Sequence, residues 1–139
     1  MFITDDDKEL LPSWLRFLRG IIDSSDLPLN VSREILQQNR VMAKIKSNSV
    51  KKVISKLNDL AKDKKKYDPF YKEFGRLLKE GVYQDFENKD SLTELLRFKS
   101  TLEDGYTSLK DYVSRMQTDQ KSIYYITGEN ETSLRKSPL

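Results

Sequence analysis

Nine apolar residues between Ile35 and Leu60 recur at spacings of mostly three, four and seven: Ile35, Leu36, Met42, Ile45, Val50, Val53, Ile54, Leu57 and Leu60. That pattern is one face of an α-helix. It predicts a helix over about 33–63, some three times the ordinary length, with Ser32 as its N-cap. Ser47-Asn48-Ser49 is where such a helix would break. Asp68-Pro69 reads as the next helix start, and Tyr67, Phe70, Tyr71, Phe74, Leu77 and Leu78 form one stripe that Gly81 would end. Ser91-Leu92-Thr93-Glu94 has the form of a capping box, opening a short third helix with Leu92, Leu95 and Leu96. Residues 33–97 therefore read as three helices joined by short polar turns, enough for a small bundle.

The flanks differ. Phe2-Ile3 could end a strand. From Pro12 a helix is expected, with Leu11, Trp14, Leu15 and Leu18 on its apolar face and Gly20 as its stop. Trp14 on that stripe reads as core rather than as a contact for a partner. The aromatic stripe from Tyr67 reads as packing rather than as a platform for stacked bases. Ser108 would cap a further helix bearing Leu109, Tyr112, Val113 and Met116. Ser122–Thr127, with Ile123-Tyr124-Tyr125-Ile126 inside, reads as a central strand covered on both faces. The tail from Glu129 could begin one more helix. Strands with no partners cannot stay buried, because their backbone groups need hydrogen bonds. Either Phe2-Ile3 and Ile123 to Ile126 pair with strands outside this chain or the chain is cut from a longer one, and the cut is the expected reading.

Composition closes off several chemistries. The 139 residues contain no cysteine and no histidine. A disulfide framework, a thiolate zinc site and a Ser-His-Asp triad are excluded, and no calcium-loop spacing appears. Apolar residues are 37% and charged residues 34%, a globular balance. No apolar run approaches the ~20 residues that span a bilayer. The start turns acidic after four residues, unlike a signal peptide, and a cytoplasmic setting is expected. Net charge is +3, but residues 40–66 hold ten Lys or Arg against two Asp. By spacing, this basic stretch reads as a solvated helix face rather than as a nucleic-acid site.

One run stands apart: Leu27-Pro28-Leu29-Asn30-Val31-Ser32-Arg33-Glu34-Ile35-Leu36-Gln37. It resembles the catalytic-loop signature of the middle segment of the heat-shock protein 90 chaperone family. Other blocks follow in that family's order: Phe2-Ile3-Thr4-Asp5-Asp6, Leu15-Arg16-Phe17-Leu18-Arg19-Gly20, Leu95-Leu96-Arg97-Phe98, Ser108 to Met116 and Ile123 to Thr127. The wording at Asp23-Ser24-Ser25-Asp26 and Lys79-Glu80-Gly81 is closer to the bacterial branch than to the eukaryotic cytosolic one.

The resemblance implies an α/β, mostly helical fold in three parts. Residues 1–32 would end a larger α/β unit, 33–98 would be a three-helix connector, and 99–139 would open a smaller α/β unit. It also implies a function. An arginine of the loop, here Arg33, would reach the γ-phosphate of ATP held by a neighbouring N-terminal domain. Gln37 would support the same phosphate region, and Asn30 would help set the loop. Leu27, Leu29 and Val31 would contact the closed ATPase domain. Magnesium and most of the ATP contacts would belong to that domain. Unfolded client proteins would be the other partners, and dimerisation would use a C-terminal region. A guanidinium suits the task because it is always charged and presents a planar fork of donors to phosphate oxygens. From spacing alone, Arg33 reads instead as a surface arginine paired with Glu34 or Asp26. Two further readings use the helices: a basic nucleic-acid-binding module over 40–66, or an adaptor with an apolar groove.

Overall fold

In the computed structural model of the chain, residues 10–25 and 40–139 are described. They are mostly helical, with one small antiparallel sheet. Phe2-Ile3 and Ser32 lie outside the described residues. The chain divides into two units, Met1–Leu95 and Leu96–Leu139.

In the first unit, helix α1 spans Arg40–Ala61. It runs unbroken through Ser47-Asn48-Ser49, and buries Met42, Val50, Ile54 and Leu57, the periodic stripe that its sequence shows. Helix α2 spans Lys64–Gln84, so the start expected at Asp68-Pro69 falls four residues late. Asp63 is the real cap, its carboxylate accepting from Lys65 N at 3.1 Å. Pro69 lies inside the helix, where its ring removes one backbone donor. The aromatic stripe pulls the helix past that defect. Tyr67 and Tyr71 are buried, and Phe17 stacks on Phe74 at 4.7 Å between ring centres.

Gly81 does not stop α2 but is buried within it. A Cβ there would meet Trp14 Cδ2 at 2.8 Å and Leu92 Cδ1 at 3.0 Å. The missing side chain is what lets the indole approach the helix. A 3-10 turn at Phe86–Asn88 follows, with Asp85 accepting from Asn88 N at 3.2 Å. Helix α3 then spans Lys89–Leu95. The capping box expected at Ser91 is therefore overridden by a cap six residues earlier. Tyr67 Oη donates to the Leu95 carbonyl at 2.5 Å and ties the end of α3 to the start of α2.

The helix expected from Pro12 to Gly20 contracts to a 3-10 turn, Ser13–Leu15. Packing overrides propensity here. Trp14 and Leu15 have no exposed surface, and the Ser13 carbonyl is taken by the Arg16 guanidinium at 3.0 Å. Trp14 is core, as its stripe indicates.

In the second unit, β1 (Phe98–Lys99) pairs antiparallel with β2 (Tyr106–Thr107), Phe98 opposite Thr107 and Lys99 opposite Tyr106. The loop back to β2 closes at Gly105, whose φ of 90° favours glycine. Helix α4 spans Leu109–Ser114 with Ser108 as cap, accepting from Asp111 N at 3.0 Å. Helix α5 spans Glu131–Arg135 behind Asn130, close to where the tail suggested one.

The strand expected at Ser122–Thr127 is not formed. Ile123 is 40% exposed, Tyr124 75%, Tyr125 86% and Ile126 47%. Among the described residues the sheet consists of β1 and β2, and the Tyr124 amide donates to Tyr112 Oη at 3.1 Å instead. Strand-forming side chains do not make a strand without a neighbour to pair with.

Candidate functional site

Asn30, Arg33 and Gln37, with Leu27, Leu29 and Val31, lie outside the described residues. The two stretches that adjoin their segment are described, and both belong to the first unit.

The preceding stretch is fixed to the C-terminal half of α2 by four contacts. Arg16 makes a two-pronged pair with Glu80, Nη1 to Oε2 at 2.8 Å and Nη2 to Oε1 at 3.0 Å. Ser13 Oγ donates to Gln84 Oε1 at 3.0 Å. Trp14 Nε1 donates to Asp85 Oδ2 at 3.3 Å, and its ring fills the space above Gly81. The hydrogen bond from Arg16 holds the Glu80 carboxyl below the usual carboxylate range, and the same bond raises the Arg16 guanidinium. Arg76 adds a weaker pull on Glu80.

The following stretch is α1. It shares an open groove of about 590 Å³ with the preceding one: Pro12 and Trp14 on one side, Ala43, Lys46 and Val50 on α1, and Gln84 to Asn88 along the rim. Farther along α1, a polar cleft of about 290 Å³ is lined by Lys51, Ser55, Asn58 and Lys62 opposite Asn88 and Ser91. Asp85 is committed to Asn88 and Trp14. Among the described residues no group of three or more acidic side chains could hold a metal ion, and no helix is long and apolar enough to cross a membrane.

The anchoring set was not legible in the sequence. Arg16 and Glu80 are 64 residues apart, and nothing in their local spacing marks them as partners.

Residues 1–139 match the family model described as Hsp90 protein, and the chain belongs to that family. Within it the chain sits on the HtpG branch. It is 64% identical over 140 residues to Chaperone protein HtpG of Wolinella succinogenes, covering 100% of this chain and 23% of that protein. It is 61% identical to the Treponema denticola protein of that name, covering 99% and 22%. Against the Helicobacter pylori one it is 60% identical, covering 100% and 22%. The chain spans less than a quarter of the length of these curated relatives.

Proposed function

We propose that this chain is a middle portion of an ATP-dependent molecular chaperone that completes the ATPase site of a neighbouring N-terminal domain. The observation that supports it is the family match over residues 1–139, together with the unbroken run Leu27 to Gln37. The division into residues 1–32, 33–98 and 99–139 belongs to the same reading. So do the binding of unfolded clients, dimerisation through a C-terminal region, and a cytoplasmic setting.

In this reading Arg33 is the residue that acts. Its guanidinium donates to the γ-phosphate oxygens and offsets the negative charge that grows there in phosphoryl transfer. Gln37 follows by four residues, one turn along a helix face, and its amide donates to the same phosphate region. Asn30 shapes the run through the short-range hydrogen bonds that asparagine makes with nearby backbone. A guanidinium and two carboxamides form a donor set that fits a polyphosphate, while magnesium and the water-activating group belong to the N-terminal domain. The Ser13–Arg16 stretch, which precedes the run in sequence, is anchored to α2.

The test is Arg33→Ala in the full-length protein. Turnover should fall by ~10³-fold or more, as for other arginines that act on a transferring phosphoryl group, while nucleotide affinity stays nearly unchanged. Turnover that survives the substitution removes the role assigned to Arg33.

A further inference from the structure

The outward face of α1 is strongly basic, and the chemistry proposed above does not use it. Arg40, Lys44, Lys51, Lys52 and Lys56 are all exposed. Lys44, Lys51, Lys52 and Lys56 form no ion pair with any described residue.

At 3.6 residues per turn, Arg40, Lys44 and Lys51 fall within about 40° of one another, and Lys52 and Lys56 form a second row about 100° farther round. Asn48 and Ser55, both exposed, lie between the two rows. The acid in that strip is Asp59, which Lys62 neutralises at 3.2 Å. The 22 residues of α1 extend the feature over about 33 Å. Like charges one turn apart, as at Arg40 and Lys44 or Lys52 and Lys56, oppose helix formation. The helix therefore carries this set at a cost to itself.

The composition of the face selects the partner. Protein interfaces are built around apolar or aromatic anchors, and membrane-surface helices need an apolar face to insert. In this strip Val41 and Ile45 are half-buried and Asp59 is paired with Lys62, so the open groups that the face offers are cations, a hydroxyl and a carboxamide. Those groups are the ones that bind phosphate and sugar without reading bases. Successive cations along a row stand about 6 to 11 Å apart, close to every second or third phosphate of a strand rising 3.4 Å per nucleotide.

We infer that the exposed face of α1 binds the sugar–phosphate backbone of nucleic acid, independent of sequence, through Arg40, Lys44, Lys51, Lys52 and Lys56. The inference does not depend on the role of Arg33.

The experiment follows fluorescence anisotropy of a labelled 20-nucleotide oligothymidylate with the full-length protein from 50 to 200 mM KCl. Five phosphate contacts predict an affinity that falls about 100- to 500-fold over that range. Replacing Lys44, Lys51, Lys52 and Lys56 together by Gln should weaken binding at least tenfold at 100 mM salt and reduce the logarithmic salt slope by about three. The same four positions as Arg should keep both, which holds the test open if the Gln variant does not fold. Neutralising Lys72, Lys89, Lys110 and Lys121 instead should leave the slope unchanged. Absence of binding at 50 mM salt overturns the inference, and so does an equal loss from the two sets of Gln substitutions. Polyglutamate of equal charge competing as well as the oligonucleotide also overturns it, by showing a surface for acidic peptides.

Discussion

The two units of this chain hold their apolar side chains in opposite ways. In Met1–Leu95, Trp14, Leu15, Leu78, Leu92 and Leu95 are wholly buried and Tyr67 nearly so. In Leu96–Leu139, among the described residues, only Leu96 and Thr107 are buried, while Ile123 to Ile126 lie open. Both units are rich in large side chains, so the difference is not one of supply. Helices satisfy their backbone hydrogen bonds internally, and three of them can close a core with their own residues. Strand-forming residues need a neighbouring backbone before their side chains can be covered. The comparison teaches that self-sufficiency here follows from secondary-structure type more than from hydrophobicity.

The comparison breaks most easily at Trp14. Trp14→Ala should destabilise the first unit by about 3–5 kcal/mol, the usual cost of emptying a large aromatic site, as measured by urea unfolding of the full-length protein. A loss under about 1 kcal/mol would mean that the indole is not the centre of that core. A smaller effect should come from Gly81→Ala. Helix propensity favours alanine by roughly 1 kcal/mol, but its Cβ would stand 2.8 Å from Trp14 Cδ2. Overpacking typically costs about 1–3 kcal/mol, so a net loss of about 1 kcal/mol is expected. A stabilised variant would show that the ring has room to move.

The second unit supplies the opposite test. Tyr125→Ser removes a large side chain that is 86% exposed, and stability should change by no more than about 0.5 kcal/mol, as at other open positions. A loss of several kcal/mol in the full-length protein would show that this segment is covered there. The smallest effect concerns Arg16 and Glu80. Because the folded-state carboxyl of Glu80 is held low by Arg16, the pair's contribution is complete above the unfolded Glu value, ~4.3. It is lost as pH falls through the lower folded value. The stability difference between the wild type and Glu80→Gln should therefore be flat above about pH 5 and shrink in acid. A difference that grows on acidification would contradict the assigned cause.

What the sequence disclosed was local. The periodicity of Met42 to Leu57, the Ser108 cap and the core role of Trp14 and the aromatic stripe all depend on residues a few positions apart, and the structure carries each of them. The boundaries at Pro69, Gly81 and Ser91 misled because tertiary packing outweighed turn and cap preferences worth ~1 kcal/mol each. The two-residue strands of the hairpin are too short for any alternation to show. Ile123 to Ile126 has strand composition, but composition cannot supply the partner. Arg33, Gln37 and Asn30 came to notice through resemblance rather than spacing, and their assignment stands on that run of residues.

The docking of an indole against a bare α-carbon at Gly81 has one further consequence. Positions 14 and 81 occupy a single shared volume, so enlarging one can be accommodated by shrinking the other. A chain that carries alanine at 81 should tolerate phenylalanine at 14 better than tryptophan, which makes these two distant positions a size-compensating couple that related sequences ought to change together.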